Sequence, residues 1–252
     1  MYNFFNGELN RSSVDGKGME LVSVVNCTYS AKEQPPTWSN AVWWQNRMWY
    51  GQVPDGSGKL QSLARYLDVI AHELTHGITQ YSSDLIYDAQ SGALNESFSD
   101  IFGVVVNNWY IAANKDDVGT WDWQIGRGWG DNGKPLRDMQ DPKATGDPDH
   151  MNDYWDTVKD NGGVHTNSNI HNKAAYNVFT AKDAQGSRVF KPKDVAVLYY
   201  LCLIRLNKVT TFVKTLQALV DVAITYYEGD PSQPVRLQSI RQAYKDVGIT
   251  VE

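Results

Sequence analysis

The pattern of apolar positions changes character along the chain. Residues 19–53 are rich in β-branched and aromatic residues in "MELVSVVNCTYS", "AVWW" and "RMWYGQV", with "QPPTWSN" as a break, which predicts strands and turns. "PDGSGK" then reads as a loop. From 60 to about 80 the rhythm becomes helical, with Leu60, Leu63, Leu67, Ile70, Leu74 and Ile78 three or four apart. A second helix is expected at about 92–113, and four more near 164–181, 192–206, 209–227 and 232–247. Between them, 113–163 is irregular, with Gly, Pro and Asp throughout, and a stretch of that length in a compact domain is often functional. The expectation is an α+β protein. A β-rich N-terminal lobe over 1–80 ends in the first helix, and a mainly α-helical C-terminal lobe fills 81–252.

That first helix carries "VIAHELTHGI". With Leu74 at zero and about 100° per residue, the apolar residues fall within about 40°, whereas His72 and His76 fall at about 160° and 200°. The imidazoles therefore share the face opposite the buried stripe, one turn apart, where both can reach one ion. A solvated polar face would account for two histidines but would not require Glu73 between them. His-Glu-x-x-His on an amphipathic helix is a zinc-site signature. The pattern in which glycine and histidine follow the motif is excluded, because Thr79 and Ser82 stand there. In "SGALNESFSDIFG", setting Phe98 at zero puts Glu96 and Asp100 at about 160° and 200°, the same geometry. Packed as a hairpin, the two helices would bring Glu96 to the metal as third ligand. Asp100 would hydrogen-bond the free nitrogen of a ligating histidine, and Asn95 is grouped with it behind the ligands.

Composition narrows this little. The charge of −6 and the absence of a basic run argue against nucleic acid, and no apolar run has transmembrane length. "MYNFFNGELN" lacks the charged and apolar regions of a signal peptide. Cys27 and Cys202 lie far apart without metal-ligand spacing and read as buried free thiols rather than a disulfide.

"HELTHGIT" followed by "GALNESFSDIFG" resembles the thermolysin family of neutral zinc metalloproteases, and "SNAVWW", "PLRDMQDP", "TGDPDH" and "DNGGVHTNSNIHNKAAY" extend the resemblance over most of the chain. It implies a thermolysin-like fold in which part of the N-terminal β-region is absent, with the zinc helix between the lobes. It implies zinc on His72, His76 and Glu96, and Glu73 as the general base that takes a proton from the attacking water. His165, oriented by Asp160, would donate to the developing oxyanion, and Tyr87 would be a second donor. On the residues alone, a lone histidine after Gly162-Gly163 is a loop or helix-start residue, and Tyr87 a packed aromatic. Arg137 matches the arginine that binds a substrate carbonyl, with a surface salt bridge as the alternative. Asn40 and Ala41 match the strand edge that pairs with the peptide. Leu63, Val69, Ile125 and Leu136 match the apolar pocket, so cleavage before bulky hydrophobic residues is expected; for each of the four the alternative is core.

The implied protein is a secreted, monomeric endopeptidase acting on peptides or unfolded segments. A zinc-containing peptide-binding module, inactive or weakly active, is the alternative. The family's paired calcium site is expected to be degraded. Asp68 and Asp122 keep carboxylates, but Asn107, Gln124 and Arg127 occupy the other matching positions, and Arg127 is expected to pair with Asp68 or Asp122.

Overall fold

The computed structural model describes residues 2–30, 32, 35–129 and 134–251. Gln34 of the predicted break and 130–133 of the irregular stretch lie outside them. The front of the molecule is a small sheet of strands β1 (Ser23–Cys27), β2 (Ala41–Trp44), β3 (Arg47–Pro54) and β4 (Leu60–Ser62). β1 is parallel to β3, β2 is antiparallel to it, and β4 pairs with its far end, so β2 is an edge strand. Gln45 and Asn46 both have positive φ, as the two-residue hairpin between β2 and β3 requires. Gly51 is needed where residues 38–40 cross β3: a Cβ there would lie 1.8 Å from the Trp38 carbonyl oxygen.

Behind the sheet lie α2 (Leu67–Gln80), α3 (Ala89–Ile111) and α4 (Asp160–Thr180), closed off by α5 (Pro192–Leu203), α6 (Phe212–Tyr226) and α7 (Gln233–Lys245). α2 packs on β2 and α3, and α3 is wedged between α2 and α4. Nearly every side chain from Gly92 to Val106 is therefore buried, including Glu96 and Asp100. One hydrophobic core runs through sheet and helices.

The zinc-motif helix begins at Leu67, later than the spacing predicts. Leu60 is in β4, and Leu63 opens a 3-10 turn (Leu63–Arg65) capped by the Ser62 hydroxyl, which accepts the Ala64 N–H. A strand residue and a turn residue happen to repeat at helical intervals. A helix absent from the sequence reading, α1 (Tyr2–Leu9), buries Phe4 against Trp109 and Phe5 against Phe102. The other helix ends shift by a few residues. Cys202 is buried as expected, but Cys27, on the outermost paired strand, is only half-buried; both are free thiols. The stretch 113–163 is irregular but anchored: Trp121 and Trp123 each lie 5.6 Å from Phe179, and β5 (Gln124–Ile125) pairs with β6 (Arg137–Asp138).

Candidate metal centre and its cleft

On α2 the imidazoles of His72 and His76 stand 4.6 Å apart with their Nε2 atoms 3.0 Å from each other. α3 brings Glu96 to both: Oε2 is 3.4 Å from His72 Nε2, and Oε1 is 3.4 Å from His76 Nε2. Among the described residues this is the one group of three or more His, Cys, Asp or Glu whose donor atoms lie within 4.8 Å of one another. Four donors at 2.0–2.1 Å around tetrahedral zinc are spaced about 3.3 Å apart, so little movement is needed to accept the ion.

The proton inventory also fits a cation. His72 Nδ1 is 2.9 Å from Asp100 Oδ1, and His76 Nδ1 is 2.8 Å from Asn95 Oδ1. Asn95 Nδ2 donates to the Leu85 carbonyl, which fixes the amide's orientation. Carboxylate and amide oxygens only accept here, so both imidazoles carry hydrogen on Nδ1 and turn Nε2 toward the same point. Glu96 Oε2, buried there, has no hydrogen-bond partner. Burial opposes charge on His72, but Asp100 and Glu96 outweigh it and hold its pKa up to about 10. Burial pushes His76 down to about 4. Glu96 is held well below the usual carboxylate range by both histidines despite its burial.

Glu73 is buried in the cleft beside Trp43, and burial pushes its pKa up to about 7. His165 stands opposite. A left-handed run from Asp160 to Gly163 (φ 51, 49, 83 and 73°) turns the chain so that Asp160 Oδ1 meets His165 Nδ1 at 2.7 Å and Oδ2 accepts its N–H at 2.9 Å. A Cβ on Gly162 would lie 2.8 Å from Ala89 Cα, so this turn presses directly on the segment after Tyr87. The Tyr87 hydroxyl donates to Glu96 Oε1 and lies 3.1 Å from His165 Nε2.

These groups line a cleft of ≈ 380 Å³ between β2, α2 and the irregular stretch. Asn40 and Ala41 form its strand wall, and Val69, Ile125, Leu136 and Arg137 line it too. Asn40 Oδ1 accepts the Ala41 N–H at 2.9 Å. Leu63, in the 3-10 turn, is fully buried and is not among the residues that line the cleft. Arg137 is not a surface arginine either. Its Nε and NH2 donate to the two oxygens of Asp100, both at 2.7 Å, and it is nearly buried. Trp43 and Trp129 line the cleft without having been singled out by sequence. Trp43 is in the quoted "SNAVWW", but no spacing rule marks which aromatic faces a groove.

At the positions matching the calcium site, Arg127 NH1 bonds Asp122 Oδ2 at 2.9 Å, Gln124 Nε2 bonds Asp138 Oδ2 at 3.1 Å, and Asp68 Oδ2 accepts the Gly126 N–H at 2.6 Å. The expected pairing of Arg127 is thus with Asp122.

Residues 1–80 match the family model for the thermolysin metallopeptidase catalytic domain, and residues 83–249 match that for the thermolysin metallopeptidase alpha-helical domain. The chain belongs to the thermolysin family of metallopeptidases. It is 39% identical to a bacillolysin of Brevibacillus brevis over 255 residues, covering 98% of this chain and 44% of that protein. It is 34% identical to an extracellular elastase of Staphylococcus epidermidis over 249 residues, again 98% of this chain and 44% of that one. Among solved structures, the precursor of protealysin from Serratia proteamaculans superposes with a TM-score of 0.80 at 32% identity, covering 99% of this chain and 75% of that chain. The chain thus spans less than half the length of these two curated relatives. No described helix is long and apolar enough to cross a membrane.

Proposed function

We propose that this chain is a zinc-dependent endopeptidase that cleaves extended peptides on the N-terminal side of bulky hydrophobic residues. The observation that carries this reading is the convergence of three ligand atoms, a buried glutamate and an Asp-oriented histidine in one cleft beside a free strand edge. His72, His76 and Glu96 hold the metal, which when bound supplies a Lewis acid that polarises the scissile carbonyl and acidifies the attacking water. Glu73 takes the proton of that water and returns it to the leaving amine. His165 Nε2, its ring fixed through Nδ1 by Asp160, and the Tyr87 hydroxyl donate to the oxygen that gains charge. The substrate backbone adds to the edge of β2 at Asn40–Ala41, which gives affinity without demanding a sequence. The aliphatic walls of Val69, Ile125 and Leu136 select the large apolar side chain. Arg137 orients Asp100 and presents its remaining edge to the substrate carbonyl. The protein acts as a monomer, and the extracellular relative supports secretion. The family's paired calcium site is lost, with a single weak calcium at best, a reading that the Arg127–Asp122 pair supports.

The test is hydrolysis of an internally quenched peptide with a single large hydrophobic residue, run with zinc, with a chelator and with Glu73→Gln, the cut being located by mass spectrometry. Chelator-sensitive cleavage before that residue, lost in the variant, is expected. Zinc and peptide binding without cleavage would replace this reading with that of a peptide-binding module.

A further inference from the structure

Behind the metal site a line of buried polar groups runs from Asp100 across four helices, α3, α4, α7 and α5, and the groups beyond Asp100 take no part in the chemistry above. Asp100 Oδ2 accepts from Asn172 Nδ2 at 2.8 Å. Asn172 Oδ1 accepts from Ser97 Oγ at 2.7 Å, and the same Oγ is 2.7 Å from His171 Nδ1. His171 Nε2 is 2.7 Å from the Tyr244 hydroxyl, which is 3.4 Å from that of Tyr199. Ser97, His171, Asn172, Tyr199 and Tyr244 are all fully buried.

Only one arrangement of protons satisfies this line. The Asp100 carboxylate only accepts, so Asn172 must turn its NH2 toward it and its oxygen toward Ser97. That oxygen also only accepts, so the single Ser97 proton goes there, and Ser97 Oγ must accept from His171. His171 therefore carries its hydrogen on Nδ1, its bare Nε2 takes the Tyr244 proton, and Tyr244 accepts from Tyr199. A neutral imidazole is required throughout, and burial keeps it so, pushing its pKa down to about 3. At the other end Asp100 receives four hydrogen bonds, two per oxygen, from His72, Asn172 and twice from Arg137. Its acceptor sites are then filled, and its plane is fixed from α4 and β6 as well as from α2.

We infer that Asn172 is a positioning residue for the metal centre, and that the directional chain Tyr244–His171–Ser97–Asn172 sets the Asp100 carboxylate so that His72 presents a bare Nε2 to zinc. The inference rests on the metal-site reading above, and it connects the C-terminal helix α7 to a ligand on α2. Groups that support a ligand from behind commonly govern metal affinity by tenfold to a hundredfold. Asn172→Leu keeps the side chain's size and removes both of its hydrogen bonds. Tyr244→Phe acts at the far end, removes one hydroxyl and frees His171 to change tautomer.

The experiment measures the zinc dissociation constant by competition with a chromophoric chelator, well below the melting temperature, for the wild type and both variants. It also records the imidazole 15N shifts of His171 in the metal-free protein. Asn172→Leu is expected to bind zinc about tenfold or more weakly, with Tyr244→Phe shifted in the same direction by less. The wild-type His171 shifts are expected to be those of a neutral ring with hydrogen on Nδ1. A purely structural role would lower the melting temperature of the metal-free variants and leave their zinc affinity unchanged, which overturns the inference. So would hydrogen on Nε2 of wild-type His171, an observation that needs no variant to fold. A wild type that does not bind zinc would instead sink the metal-site reading itself.

Discussion

The Arg137–Asp100 pair offers a sharp quantitative test, because the sequence left open a surface salt bridge at this arginine. An exposed pair is worth about 0–1 kcal/mol. Here the side chains are 12% and 0% exposed and the contact is bidentate, so solvent screening does little to weaken it. Removing one partner of a buried pair strands the other charge and costs about 3–5 kcal/mol. Arg137→Met should therefore lower the melting temperature of the metal-free protein by roughly 6–20 °C, at about 2–4 °C per kcal/mol for a domain of this size. Asp100 is held below the usual carboxylate range, mainly by Arg137 against the opposing effect of burial. A depressed carboxyl stabilises the fold above its unfolded pKa, about 3.9, and that stability is lost as pH falls toward the folded value. The gap between wild type and variant should accordingly be widest above about pH 4 and should narrow in acid. Chemical denaturation of chelator-treated protein at pH 3 and pH 7 would measure both effects. The double variant Arg137→Met/Asp100→Asn, with no stranded charge, should be less destabilised than the sum of the single changes. A loss below about 1 kcal/mol at pH 7, or additive singles, would refute the reasoning, since either is the behaviour of an exposed pair.

Other outcomes follow from single positions. Gly162→Ala meets both a positive φ and the Ala89 backbone, so it should cost about 1–3 kcal/mol and lower peptidase turnover on the order of a hundredfold by displacing His165 and Tyr87 together; wild-type turnover would show that the two turns are not coupled. Leu63→Ala should cost about 2–5 kcal/mol in a denaturant titration and leave the cleavage preference unchanged, whereas Val69→Ala should shift that preference toward larger residues; a preference altered by Leu63→Ala would return Leu63 to the pocket. Glutamate at Asn107, Gln124 and Arg127 together should make the melting temperature rise with added calcium; a triple variant as indifferent as the wild type would show that these positions do not build a cation site.

Much of the site was determined by local sequence, because helical periodicity by itself puts His72 beside His76 and Glu96 beside Asp100. The same periodicity misled at Leu60 and Leu63, where a strand end and a 3-10 turn imitate a helical interval until backbone pairing with β3 is known. The short helix α1 was not distinguished at all, since eight residues give too few turns to establish a period and its burial depends on α3 and its neighbours. Composition also predicted an irregular stretch over 113–163 but could not say that Trp121 and Trp123 pin it to α4. That anchoring carries Ile125, Leu136 and Arg137 to the cleft. Only packing decided that α3 is buried on every side from Gly92 to Val106. This turned Arg137 from a candidate surface cation into the buried partner of Asp100, and it recruited Ser97, His171 and Asn172 behind the His72–His76–Glu96 cluster. The physical reason is one of range. A sequence fixes which face of its own helix a side chain occupies, while the depth of that face in the protein, and hence the strength of every charge and hydrogen bond on it, is set by the segments that fold across it.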